Sequence, residues 1–213
     1  VEHRRSEPRR LVVEHGGVTQ AIVTATGRSR GYDVASGDVL WELGGMTENV
    51  IPSPVFADGL VYLMSGFRGN AMQAVRLADA KGDLTDSNAK AVAWTYSGKN
   101  TPYTPNPLLY DGLLYVCKGN NAVLSCFDAK TGKPQYEGRR LEELKGVYAG
   151  PLGADRRVYV VGRNGVVAVL QHGAEFKVLA TNRLDDDFDA SPVAVDSTLY
   201  LRGRKHLYCL GAE

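Results

Sequence analysis

Ser53-Pro54-Val55-Phe56-Ala57-Asp58-Gly59-Leu60-Val61-Tyr62-Leu63 reads as two short strands joined by a tight turn. Asp-Gly between two apolar runs is a hairpin signal, because a two-residue turn between twisted strands needs positive φ. Pro54 opens the first run, where a missing N–H costs no ladder bond. Working outward, the module returns as Asn106-Pro107-Leu108-Leu109-Tyr110-Asp111-Gly112-Leu113-Leu114-Tyr115-Val116, as Gly150-Pro151-Leu152-Gly153-Ala154-Asp155-Arg156-Arg157-Val158-Tyr159-Val160, and as Ser191-Pro192-Val193-Ala194-Val195-Asp196-Ser197-Thr198-Leu199-Tyr200-Leu201. From Tyr62 to Tyr115, Tyr159 and Tyr200 the steps are 53, 44 and 41, and proline and aspartate advance with them. A degenerate earlier copy surrounds Leu11-Val12-Val13 and Gln20-Ala21-Ile22-Val23-Thr24.

A third strand is expected after each hairpin, at 28–34, 71–77, 122–128, 165–170 and 205–210, and a fourth at 39–43, 92–97, 134–138 and 176–181. Turn signals such as Ala35-Ser36-Gly37-Asp38 separate the two. Four short strands per period of about 40–50 residues is the pattern of a β-propeller blade. One such sheet cannot bury both of its faces alone, and stacking on neighbours solves that. The chain is therefore expected to be all-β, built of four-stranded antiparallel propeller blades at approximately 10–45, 52–98, 105–140, 148–182 and 190–211. The largest step points to an insertion at 79–88, polar and glycine-bearing, expected as a loop on one rim. Residues 141–144 are expected as one helical turn or a loop. The last copy stops after its third strand, and the polar segment 1–5 would make a poor closing strand, so the chain reads as the C-terminal part of a larger ring rather than a closed five-bladed one.

Composition narrows the function. The 25 Lys and Arg against 24 Asp and Glu leave a net charge of +1, which excludes a nucleic-acid binder driven by bulk charge. No run of 18 apolar residues exists, so no transmembrane helix is expected. Cys117, Cys126 and Cys209 form neither a zinc-ligand pattern nor a disulfide framework and read as buried small hydrophobes.

Tyr32-Asp33-Val34-Ala35-Ser36-Gly37-Asp38-Val39-Leu40-Trp41 and Phe127-Asp128-Ala129-Lys130-Thr131-Gly132-Lys133-Pro134 resemble the Asp-x-x-Thr-Gly-x-x-x-Trp signature of pyrroloquinoline-quinone-like propeller repeats. The first copy has Ser36 for Thr, the later one has Tyr136 where Trp is usual, and the last two blades lose the signature. The resemblance implies seven or eight blades in the whole ring and a periplasmic, cell-surface or secreted location. Its family includes quinoprotein dehydrogenases and a non-enzymatic lipoprotein that assists outer-membrane protein assembly. Quinone-binding members place the cofactor over a Trp beneath a disulfide of adjacent cysteines, with calcium. No such cysteine pair is present, and Trp41 and Trp94 fall on outer strands, so no cofactor, metal or catalytic residue is carried over. The signature's role is structural: its aspartate accepts turn N–H groups, its glycine takes the turn's conformation, and Trp41 covers the adjacent blade.

The loops entering each blade are the candidate binding face: 47–51, 99–104, 146–149 and 187–190, with Asn49, Tyr103, Tyr148, Asp187 and Asp189 as contact residues for a protein or small ligand. The run Leu184-Asp185-Asp186-Asp187-Phe188-Asp189 lacks a calcium-loop pattern and reads as a solvated loop. His172 sits in an expected exposed turn, and Arg202-Gly203-Arg204-Lys205-His206 is an expected hairpin turn. A non-catalytic propeller scaffold is the first functional reading. The alternative is the C-terminal part of a quinoprotein-type oxidoreductase with its active-site residues outside this chain. A third, a carboxylate hydrolase or lyase, needs Asp187 and Asp189 close together with one of them raised in pKa.

Overall fold

The computed structural model describes residues 9–86, 89–118 and 121–211. The segment 1–5 named above lies outside them. Five sheets follow in chain order. The first holds β1 (Arg9–His15), β2 (Val18–Thr24), β3 (Gly27–Asp33) and β4 (Val39–Met46). The second holds β5 (Val55–Ala57), β6 (Leu60–Ser65) and β7 (Ala71–Arg76), then, past β8 (Gly82–Asp83), β9 (Val92–Tyr96). The third comprises β10 (Leu108–Tyr110), β11 (Leu113–Lys118), β12 (Val123–Asp128) and β13 (Pro134–Arg140). The fourth comprises β14 (Leu152–Ala154), β15 (Arg157–Val161), β16 (Val166–Gln171) and β17 (Val178–Arg183). The fifth has three strands, β18 (Val193–Val195), β19 (Thr198–Arg202) and β20 (Leu207–Gly211). All are antiparallel meanders, as expected of propeller blades, with one parallel addition described below.

The register follows from the turns. Asp58 and Gly59, Asp111 and Gly112, and Asp155 and Arg156 all take positive φ. They bring the module's first strand onto its second with two residues between, so that Val55 faces Tyr62, Leu108 faces Tyr115 and Leu152 faces Tyr159. In the 33–38 turn, Asp33 Oδ1 accepts N–H bonds from Ala35 at 2.7 Å and Ser36 at 3.2 Å, the role the signature implied.

The chain divides into two compact units, Val1–Tyr103 with Lys130–Gly132, and Thr104–Ala129 with Lys133–Glu213. In the first, Trp41 is fully buried in a cluster that joins Val13, Ile22 and Leu43 of one blade to Val61, Leu63 and Val75 of the next. Its Nε1–H donates to Gln20 Oε1 at 3.0 Å, and its indole lies against Gly31, where a methyl would overlap it. In the second unit, one cluster joins Tyr115, Leu124 and Cys126 to Val158, Val160 and Leu170. Another joins Val161 and Val167 to Phe188 and Leu201. The fifth blade's other face carries exposed Val193, Val195 and Leu207.

Three expectations are corrected. The 79–88 insertion is not simply a rim loop. Gly82–Asp83 pairs in parallel with Trp41–Glu42, giving the first sheet a fifth strand, and Ala80 and Leu84 are buried in the core. Pairing satisfies the outer edge of β4, which would otherwise present open backbone groups. Arg28 ties it down by ion pairs to Glu42 at 2.6 Å and Asp83 at 2.9 Å. Hydrogen bonds from Thr85 and then Arg28 hold the Asp83 carboxyl down at about 2. His172 is buried rather than exposed, because the Tyr110 ring lies tilted against it with centroids 4.7 Å apart and the Tyr115 hydroxyl meets its Nδ1 at 2.9 Å. Cys117 and Cys126 are buried, with burial pushing both thiols up to about 12, but Cys209 is exposed.

The corrected insertion makes a measurable difference. Leu84→Ala should cost about 2–4 kcal/mol in urea unfolding, as for a core leucine, whereas Lys81→Ala should cost less than about 0.5 kcal/mol. Equal, small effects from both would restore the rim-loop reading.

Candidate functional site

The loop that enters each blade is pinned by one apolar side chain. Val50, Tyr103, Val147 and Phe188 each stand four residues before a module proline, at Pro54, Pro107, Pro151 and Pro192. Val50, Val147 and Phe188 are buried, while Tyr103 is half-buried. Beside these anchors, Gly146 and Asp187 each accept a backbone N–H from the hairpin between the second and third strands of their own blade, and Asn49 donates to the corresponding hairpin of the blade before.

In the first unit, Asn49 has φ 51°, its N–H donates to Thr26 Oγ1 at 3.1 Å, and its Nδ2 donates to the Tyr103 hydroxyl at 2.9 Å. Tyr103 stacks on Phe67 with ring centroids 5.0 Å apart. The Arg68 guanidinium lies 5.4 Å from the Phe67 ring centre and 3.3 Å from the Glu48 carboxylate. Asn49 and Tyr103 are thus brought together, with Phe67 and Arg68 added.

In the second unit, Tyr148 and Asp189 are joined through arginine. The Arg163 guanidinium sits 4.2 Å over the Tyr148 ring, and its Nε donates to Asp189 Oδ1 at 2.6 Å. Arg204 Nη2 donates to Asp189 Oδ2 at 3.2 Å. The frame repeats from blade to blade: Arg163 N–H donates to Gly146 O, and Arg204 N–H to Asp187 O, each at 3.0 Å. Asp187 is exposed and contributes that carbonyl. Hydrogen bonding from Arg163 first, then Arg204, holds the Asp189 carboxyl below its ordinary range. A proton donor needs the opposite shift, so this geometry lends the hydrolase or lyase reading no support at Asp189.

Asp186 also departs from the solvated-loop expectation. Its side chain is fully buried. Oδ1 accepts the N–H of Asp187 at 2.8 Å and of Arg204 at 3.0 Å, while Oδ2 accepts those of Lys205 and His206, each at 3.0 Å. Gly203 admits the carboxylate, since any Cβ there would overlap it. Burial pushes this carboxyl up, but the backbone N–H groups of Asp187, Lys205, His206 and Arg204 outweigh it and hold the group below its ordinary value. The basic run is the expected hairpin turn, and its backbone is folded around an anion supplied by the preceding loop. Beside it lies an open concavity of about 420 Å³ bordered by Asn164, Arg183, Asp185, Asp187 and Lys205.

Arg163, Arg204 and Arg68 escape the sequence reading because a basic turn reads as solubilising charge, and Phe67 because it stands outside the blade-entering loops. A signal was available: Arg163 and Arg204 are 41 residues apart, the step between their blades.

No family model matches the sequence, and no curated protein does. Likeness lies in the fold. The chain aligns over 97% of its length with 72% of BamB from Moraxella catarrhalis, at a TM-score of 0.52 and 16% identity. It aligns over 94% of its length with 57% of the computationally designed Ika8 protein, at a TM-score of 0.66 and 10% identity. Since 535 solved chains share such likeness, the architecture does not select a function. These likenesses, with the five meandering sheets, make this an all-β chain of β-propeller blades.

Asp186→Asn should lower the melting temperature by several degrees at pH 7. Because the folded carboxyl is depressed, its contribution is present above the unfolded value near 3.8 and is lost as pH falls through the lower folded value. The gap between wild type and variant should therefore stay constant from pH 7 to about 5 and close below about pH 4. A gap that widens on acidification would contradict the assignment.

Proposed function

We propose that this chain is a non-catalytic propeller scaffold that binds a partner protein through the loops entering its blades, outside the cytoplasm. The carrying observation is the set Tyr148, Arg163, Asp189 and Arg204: Tyr148 and Asp189 stand on loops anchored by buried Val147 and Phe188 and are joined by the arginines of the facing hairpins into an ion-paired, partly exposed group. Tyrosine and arginine held this way are the residue types that dominate protein interfaces, since little side-chain freedom remains to be lost on binding. The Asn49, Tyr103, Phe67 and Arg68 group has the same composition in the first unit. The cation over Tyr148 and the low carboxyl pKa of Asp189 suit recognition better than proton transfer. The compartment follows the resemblance of the repeat signature to the pyrroloquinoline-quinone-like family.

In cells of the natural host, a photoreactive benzoyl-phenylalanine at Tyr148 in the full-length protein should give a discrete crosslinked protein. The same residue at Asp58, in a turn at the other end of a blade, should not. Arg163→Ala with Arg204→Ala should weaken that crosslink by roughly thirtyfold, as expected for a loss of about 2 kcal/mol at an interface centre, with the melting curve nearly unchanged. Equal crosslinking from both positions, or an unaffected crosslink in the double variant, would discard the reading.

A further inference from the structure

At the other end of the strands, one position stands just before the first hairpin turn of each blade. On the first blade it is His15, paired with Val18 across Gly16-Gly17, and on the second it is Ala57, paired with Leu60. The His15 ring meets Phe56 edge-on, with centroids 6.1 Å apart, and approaches Gly59. In the second unit the same position on the third blade is Tyr110, paired with Leu113. Its ring covers Gly153 of the fourth blade, and its hydroxyl accepts the Arg156 N–H at 3.1 Å. The clefts after the first and third blades are thus filled by a ring from the preceding blade.

On the fourth blade this position is Ala154, paired with Arg157. Ala194 stands where Gly153 does, two residues after the module proline, and Ser197 stands where Arg156 does. The cleft is correspondingly open: a concavity of about 430 Å³ bordered by Ala154, Tyr159, Ala194, Ser197 and Leu199. That volume is within the range of about 300–1,000 Å³ typical of ligand sites.

We propose that this cleft is a vacated ring slot that receives a tyrosine side chain from a partner protein. Tyr110 supplies the template: an aromatic ring against a small residue, with a hydroxyl that accepts a turn N–H. Ala194, Asp196 and Ser197 are exposed, so the slot is open to solvent and gives a free small molecule little enclosure. Asp155 and Asp196 on the rim disfavour a phosphorylated or sulfated ring. This site is independent of the loop-face reading, being built from the opposite ends of the strands.

The test is methyl NMR of the intact chain labelled at alanine, titrated with the blocked pentapeptide Ala-Ala-Tyr-Ala-Ala. The Ala154 and Ala194 methyls should shift together. The phenylalanine pentapeptide should bind roughly fivefold more weakly, as for one lost hydrogen bond, and the phosphotyrosine pentapeptide should leave both methyls unmoved. Ala154→Tyr should fill the slot as Tyr110 fills its own and abolish the shift of Ala194. Should that variant not fold, Ala194→Leu blocks the floor and should abolish the shift of Ala154. No shift with the tyrosine peptide, shifts that survive the blocking variant, equal binding of the phenylalanine or phosphotyrosine peptide, or p-cresol binding as tightly as the peptide would each overturn the proposal, the last in favour of a small-phenol site.

Discussion

Everything here depends on sheets that are apolar on both faces and must lie face to face. β6 is buried at every residue and β16 at all but its last, so neither strand alternates between core and solvent. A lone meander of that composition would expose apolar surface on two sides. Stacking removes it within each unit, through the cluster around Trp41 in one and those around Tyr115 and Phe188 in the other. The requirement repeats at every blade, which is why the sequence repeats. It constrains chiefly the second and third strands, and leaves turns and entering loops free to vary.

That division explains what could be read from the chain alone. The proline, Asp-Gly and tyrosine landmarks track hairpins whose geometry is local, so strands such as β10 and β11 were legible to within a residue or two. The parallel pairing of Gly82 and Asp83 was not, because a two-residue edge contact carries no periodicity and its partner, Trp41, is far away in sequence. His172 looked exposed because its turn is polar, and the rings that bury it belong to residues of the preceding blade. Asp186 looked solvated because its partners are backbone N–H groups of a hairpin 18 to 20 residues later, and backbone donors have no sequence signature.

The candidate face was half legible for the same reason. Loop residues Asn49, Tyr103, Tyr148 and Asp189 could be found by their place relative to the module proline, but the arginines that organise them lie on the facing hairpins. Asp189 shows how much the second half matters. With Asp187 in an acidic loop it suggests a proton donor or a cation ligand; held by Arg163 and Arg204 it is an ionised bridge between two hairpins. The same carboxylate changes meaning with its neighbours, and only the fold supplies them.

In a repeat protein the informative positions are those where the pattern breaks without the fold breaking. A ring at His15 and Tyr110 and an alanine at Ala57 and Ala154 leave the strand pairing equally intact, since Ala154 and Arg157 keep the same register as Tyr110 and Leu113. The packing requirement is met by the sheet faces, so the ring at this end of the cleft is dispensable for assembling the blades. What the substitution changes is the surface between two turns, from filled to open. The cleft that Tyr110 fills shows which group its open counterpart fits, and so points to a partner more specifically than a charged residue on the rim does.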